Sequence, residues 1–288
     1  MYVPLPARRT QTPFYAYPSH LAAEIEGLPH APGVYLFHAH GQPAPLYIGK
    51  SVDIRTRVLA HLRTPREARL LRQADRVSHL RTAGDLGAQL LESSLIKRMQ
   101  PLYNKKLRAV RQVHSLRLHR GRVSAVAVAG LGFAAPANLH GLFASRAAAL
   151  QRLAGIADDN RLCHALLGLE RRARGRACFR VAIDRCAGAC CGLESDAAHA
   201  LRLSAALEEL RLQAWPCPGR IALVERGADM TQYHVLRDWH YLGSVGRLED
   251  AAALPDVVAA FDADAYRLLR GPVHDGRHEV VPLGDASR

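Results

Sequence analysis

Residues 33–62 read GVYLFHAHGQPAPLYIGKSVDIRTRVLAHL. Residues 33–37 and 46–48 are short runs rich in β-branched and aromatic side chains, and the Gly- and Pro-containing loop 41–45 separates them at hairpin distance. That pattern predicts an antiparallel pair. Asp53 stands where an N-cap belongs and opens a helix through residue 62, with Ile54, Val58 and Leu62 as its apolar side. On the hairpin, Tyr35 and Tyr47 can lie side by side with their hydroxyls aimed at one place. On the helix, Arg57 and His61 stand at i and i+4 and share a face.

Reading outward, residues 1–18 form an irregular arm. Ser19 caps a short helix to about residue 28, ended by Pro29 and Pro32. Pro65 opens a further helix, 77–81 is a third strand, and Asp85 caps a helix to about residue 99 with Pro101 as its stop. Residues 1–108 thus form one α/β (α+β) domain, a small mixed or antiparallel sheet flanked by helices. A second region, 109–192, holds a hairpin (116–119 and 123–129) around Arg120-Gly121, a helix capped by Ser145, and a cysteine-rich segment. A third, 193–288, begins with a long helix capped by Ser195 and running to about residue 212. Strands at 221–224 and 233–239 and a short Ala-rich helix around 249–260 follow, as a small β-containing C-terminal domain. The last ten or so residues read as unstructured.

The formal net charge is +13, and it is not spread evenly. Residues 50–122 hold 18 Lys+Arg against 5 Asp+Glu, whereas the rest of the chain holds 21 of each. A local surplus of this size points to a polyanion such as nucleic acid. No apolar run approaches the ~20 residues of a membrane span, and the Pro-studded N-terminal stretch lacks a signal-peptide core. The expectation is a cytoplasmic protein with no membrane partner.

Phosphodiester hydrolysis needs an activated water, neutralisation of charge building on phosphorus, and help for the leaving oxygen. A phenol ionises at about pH 10; Lys50 and a metal beside it would lower that value and make Tyr47 a general base. Arg57 can fork onto a phosphate. Glu92, flanked on its helix by Ala88 and Ile96, is a carboxylate on a small, apolar face. Such a group needs a cationic partner or a metal, and a hard ion such as Mg²⁺ or Mn²⁺ suits it. Taken singly, the tyrosines read first as cross-strand packing, and Glu92 also as half of an ion pair.

Together the motifs resemble the GIY-YIG nuclease family. Gly33-Val34-Tyr35 and Tyr47-Ile48-Gly49 are separated, tyrosine to tyrosine, by eleven residues, followed by Lys50, Arg57, Glu92 and Asn104 in order. The resemblance implies that Tyr35, Tyr47, Lys50, Arg57, His61 and Asn104 are catalytic-site residues and that Glu92 holds the divalent metal. Val34 replaces Ile, and His61 stands where many relatives carry Tyr. The basic residues around this set, Arg63, Arg66, Arg69, Arg72, Lys97, Lys105, Lys106 and Arg108, become candidate phosphate-backbone contacts.

The cysteines are clumped as Cys163-x14-Cys178-x7-Cys186-x3-Cys190, with Cys191 and Cys217 besides. This spacing admits zinc and an iron–sulfur cluster about equally. ACFRVAIDRCAGACCG resembles the cysteine-rich segment that follows the nuclease domain in UvrC-type proteins. That resemblance implies a 4Fe-4S cluster on Cys163, Cys178, Cys186 and Cys190, with Cys191 extra and Cys217 an ordinary thiol. Arg171, Arg172, Arg174, Arg176, Arg180 and Arg185 then face either a phosphate backbone or the acidic residues Glu194, Asp196, Glu208 and Glu209. Likeness to the short branch of the UvrC family covers nearly the whole chain. It implies a nucleotide excision repair endonuclease that nicks damaged double-stranded DNA on the 3′ side of a lesion marked by UvrB. A non-catalytic or redox-regulated Fe-S DNA-binding module is the alternative.

Overall fold

The computed structural model describes residues 17–105, 112–128, 138–171, 176–256 and 261–284. Two compact units divide the chain: Met1–Arg108 with Arg226–Met230, and Ala109–Glu225 with Thr231–Arg288.

In the first unit a 3-10 turn at Ser19–Leu21 leads into α1 (Ala22–Glu26). Ser19 makes no capping bond; the N-cap is Pro18. Then come β1 (Gly33–His38), β2 (Tyr47–Ser51), α2 (Ile54–Leu62), a 3-10 turn at Pro65–Glu67, α3 (Ala68–Gln73), β3 (Arg76–Arg81) and α4 (Asp85–Met99). The sheet order is β2-β1-β3, antiparallel throughout. Central β1 is buried along its whole length because both faces are covered. Alternation sends Tyr35 and Phe37 to one face, into a core with Leu21 of the first 3-10 turn and Ile25, Ile54, Val58, Leu62 and Leu71 from α1–α3. Val34 and Leu36 go to the other, against Leu95 and Ile96 of α4. Asp53 caps α2 as its position demands, accepting from Thr56 N–H at 2.8 Å. Asp85 does not cap α4; Gly84 is the N-cap and the Asp85 carboxylate is engaged elsewhere.

The two motif glycines are explained by space. A Cβ on Gly33 would stand 2.2 Å from the Leu80 carbonyl oxygen of β3. One on Gly49 would stand 2.3 Å from the Tyr35 hydroxyl oxygen and 2.9 Å from Cε1 of Tyr47. Only glycine lets β3 approach at the first place and both phenols at the second.

The second unit contains β4 (His114–His119), β5 (Arg122–Ala127), β6 (Leu139–Phe143) and α5 (Arg146–Asp159), then α6 (Phe179–Ala182) and α7 (Asp196–Glu208). β7 (Arg220–Arg226), β8 (Thr231–Arg237), β9 (His240–Val245), α8 (Ala263–His274) and β10 (Glu279–Gly284) complete it. The β4–β5 turn at Arg120-Gly121 has both residues left-handed, as a two-residue hairpin requires. Ser145 and Ser195 cap α5 and α7 through Ala148 N–H and Ala198 N–H. Sheet β5-β4-β6 shares a core with α5 and α7 through Leu116, Leu153, Ile156, Leu203 and Leu207. The other sheet runs β10-β7-β8-β9. Several expectations need correction. β6, β9 and α8 are additional elements, α7 stops at Glu208, and β10 occupies most of the tail expected to be unstructured; of the helix expected around 249–260, the start is a 3-10 segment at Leu248–Ala253 and residues 257–260 lie outside the described residues.

Candidate active site and cysteine centre

The β1–β2 register pairs Tyr35 with Gly49 and Phe37 with Tyr47, which sets the two phenols on one face with ring centroids 6.2 Å apart. His61 of α2 closes the group at 5.3 Å from Tyr35 and 5.5 Å from Tyr47. The Tyr35 hydroxyl is 2.6 Å from His61 Nε2, and His61 Nδ1 is hydrogen-bonded to the Glu67 carboxylate. Tyr35 and His61 are buried. Burial, then the neighbouring Tyr47, pushes the Tyr35 phenol well above its ordinary range, against a hydrogen bond from Arg57. That same hydrogen bond, with the coulombic pull of Tyr35, holds the Arg57 guanidinium firmly charged. Arg57 is otherwise turned to solvent, one turn before His61.

Tyr47 departs from expectation. Burial and the Glu92 carboxylate push its phenol up; a hydrogen bond from Tyr35 and the charge of Arg57 oppose them. The Lys50 ammonium is bound to Asp85 Oδ1 at 2.7 Å. Asp85 in turn accepts from the Gln89 amide at 2.6 Å. Asp85, Gln89 and Glu92 lie on one face of α4 at i, i+4 and i+7.

Glu92 Oε1 accepts from the Lys50 backbone N–H at 3.1 Å, and among the described residues the carboxylate forms no ion pair. Burial pushes its pKa up, only partly offset by that N–H and the Lys50 charge. An under-compensated, half-buried carboxylate beside two tyrosines fits a hard divalent cation that keeps several waters.

Asn104 takes a different part from the one expected. Its Oδ1 accepts from Ile48 N–H at 2.9 Å and its Nδ2 donates to the Ile48 carbonyl at 2.7 Å. The side chain imitates a neighbouring strand and pins β2 between Tyr47 and Gly49. Asn104→Asp keeps the acceptor and turns the donor into a second acceptor facing a carbonyl. That change should cost about 2–3 kcal/mol of stability, read from urea midpoints, and should weaken nicking with it.

Sequence reading missed Glu67 and Asp85. Glu67 reaches His61 through a local turn and Asp85 reaches Lys50 from α4 to β2, and only the i, i+4, i+7 spacing of Asp85, Gln89 and Glu92 offered a signal. Of the basic candidates, Arg63, Arg66, Arg69, Arg72 and Lys105 are exposed, and among the described residues they form no ion pairs. Lys97 is half-buried on α4, and Lys106 and Arg108 lie outside the described residues.

In the second unit Cys163, Cys178, Cys186 and Cys190 converge, all buried, with their sulfurs within 4.8 Å of one another. Cys191 is exposed and Cys217 half-buried. Burial opposes ionisation of Cys163, Cys186 and Cys190. Cys186 is pushed up to about 12, while at Cys190 hydrogen bonds from Cys178 and the neighbouring thiols outweigh burial and pull the thiol down. Full ionisation of four sulfurs this close requires a cation among them, so the set fits a metal centre. Arg180 is engaged otherwise than expected. Arg180 bridges Asp158 and Glu170, Arg161 pairs with Asp184, and Glu194 is taken by Arg202 of α7 itself. Arg172 and Arg174 lie outside the described residues.

Known proteins match along this same order. Residues 31–105 match the UvrC-like GIY-YIG domain, 104–209 the UvrC/Cho excinuclease middle domain, and 220–287 the excinuclease Cho C-terminal domain. Excinuclease cho of Escherichia coli (strain K12) is 53% identical over 273 residues, covering 95% of this chain and 92% of that protein. The Salmonella typhi excinuclease cho is 52% identical over 269 residues, covering 93% and 92%. UvrABC system protein C of Deinococcus radiodurans is 28% identical over 224 residues, covering 75% of this chain and 35% of that protein. Among solved structures, the GIY-YIG N-terminal endonuclease domain of UvrC from Thermotoga maritima, bound to its catalytic magnesium, is 32% identical. That alignment covers 29% of this chain and 94% of that one, with a TM-score of 0.27. The chain belongs to the excinuclease Cho family, the UvrC-like GIY-YIG endonucleases of nucleotide excision repair.

Proposed function

We propose that this endonuclease nicks damaged duplex DNA on the 3′ side of a lesion held by UvrB, in the cytoplasm, with Mg²⁺ or Mn²⁺ on Glu92. No helix among the described residues is long and apolar enough to cross a membrane. The observation that carries the catalytic part is the convergence of Tyr35, Tyr47, His61 and Arg57 beside an unpaired carboxylate. A bound divalent cation supplies charge for the phosphoryl oxygens and a polarised water. The chain's own residues do the rest. Tyr47 takes the proton of the attacking water, and Arg57 faces the charge that builds on phosphorus. Asp85 holds Lys50 at the edge of the site, and Asn104 fixes the strand that carries Tyr47 and Gly49. The exposed row Arg63, Arg66, Arg69 and Arg72, with Lys97, Lys105, Lys106 and Arg108, supplies sequence-independent phosphate contacts. That suits an enzyme whose lesion recognition resides in a partner.

The cysteine centre we assign to a 4Fe-4S cluster, on the resemblance of this segment to the cysteine-rich segment of UvrC-type proteins. One observation favours a second reading: four sulfurs around a single zinc ion have edges of about 3.8 Å, given Zn–S bonds near 2.3 Å. A 4.8 Å spread is nearer to that than a cluster of four irons would set.

Duplex DNA carrying one lesion, end-labelled on either strand and incubated with Mg²⁺ with and without UvrB, tests the nuclease reading. A single UvrB-dependent cut 3′ to the lesion is the expected result. A cut on the 5′ side, or equal nicking of undamaged DNA without UvrB, would overturn it.

A further inference from the structure

His61 stands between a phenol and a carboxylate. The Tyr35 hydroxyl lies 2.6 Å from His61 Nε2, and the Tyr47 ring lies 6.2 Å from that of Tyr35. The opposite ring nitrogen of His61 is held by Glu67.

The backbone is built for this last contact. Thr64 N–H donates to the His61 carbonyl at 3.0 Å, and Glu67 N–H donates to the Thr64 carbonyl at 3.0 Å. The Pro65–Glu67 turn therefore doubles the chain back beneath the ring at the end of α2. His61 is 3% exposed and Glu67 31%. The inner ring nitrogen thus faces the buried phenol, and the outer one faces a carboxylate at the surface. The polar groups around the ring are Tyr35 from β1, Tyr47 from β2, Arg57 from its own helix and Glu67 from the turn. Phe37 packs against it at 5.6 Å.

We infer that Glu67 is a positioning residue that holds the His61 proton on Nδ1, so that Nε2 accepts from the Tyr35 hydroxyl and keeps that phenol in place beside Tyr47. The inference rests on the nuclease reading of this site. An orienting carboxylate behind a histidine is a recurring means of fixing both tautomer and ring direction.

The test has a readout independent of nicking. In full-length protein with ¹⁵N-labelled histidines, long-range N–H correlation spectra report the tautomer of each ring; His61→Gln identifies which of the fifteen belongs to position 61. Wild type should carry the His61 proton on Nδ1, and Glu67→Leu should give a mixture of tautomers. Glu67→Leu should also lose at least tenfold in single-turnover nicking of the lesion duplex, with DNA affinity within twofold of wild type. A wild-type ring protonated on Nε2, or a Glu67→Leu protein with unchanged tautomer or unchanged nicking, would overturn the inference. Should that variant not fold, the wild-type spectrum alone decides. A wild type that does not nick at all would instead overturn the nuclease reading.

Discussion

Glu92→Gln should abolish metal-dependent nicking, by at least about a thousandfold, while leaving the metal-free protein as stable as wild type or more so. Glutamine keeps the shape and keeps an oxygen for the Lys50 N–H, so the bond that ties α4 to β2 survives. What disappears is the charge. Burial raises the folded-state pKa of Glu92 above its unfolded value. The ionised form therefore costs stability at every pH above that unfolded value, and neutral glutamine removes the cost. The melting temperature in chelator should hold or rise. Added Mg²⁺ should then raise the melting temperature of wild type and not of the variant, because only the carboxylate binds the ion. Tyr47→Phe makes the informative companion: it should keep the Mg²⁺-induced rise and lose nicking. A Glu92→Gln protein that is destabilised in chelator, or that nicks normally, would show Glu92 to be a structural bridge instead.

How much of this was legible beforehand follows physical lines. The N-terminal unit was readable because each element announces itself locally, through the β-branched and aromatic run of β1, the Asp53 cap and the 3.6-residue pattern of α2. The C-terminal elements were hidden by residues that break the usual rules. α8 carries Gly271 and Pro272 near its end yet buries Tyr266, Leu269 and Val273. β10 contains Pro282, tolerable because β10 is an edge strand. The β8–β9 turn is made by Asp238 and Trp239, both with positive φ. A tryptophan there reads as the end of a strand; full burial against Trp215 and Tyr266 is what holds it. In the site, the motif residues were visible as a set. Their supports, Glu67 and Asp85, were not, since each meets its partner only once the turn or the sheet has formed.

Substituting serine at Cys178 or Cys186 should release the bound cofactor and destabilise the second unit by several kcal/mol. The surroundings of the four cysteines argue for this. They pack with Ala165, Val181 and Ala189, Leu162 and Leu167 belong instead to the core shared with α5 and α7, and the large apolar side chains of residues 176–193 point outward. Phe179 and Leu193 are 74% exposed and Ile183 50%. A segment that keeps thiols inside and a phenylalanine outside does not close on hydrophobic burial. Ion pairs of Arg180 and Arg161 brace the periphery, but half-exposed pairs contribute little. The metal centre proposed on the four cysteines would then serve as the core. Metal analysis, sulfide content and visible absorption of anaerobically purified protein separate the two candidates. Iron with matching sulfide and a brown colour supports the cluster, and colourless protein with one zinc supports the single ion. Cys191→Ser and Cys217→Ser should keep the cofactor in either case, because neither thiol belongs to the convergent set. If the Cys178 variant melts like wild type, alanine-sized packing suffices after all and the centre is an accessory, not a core.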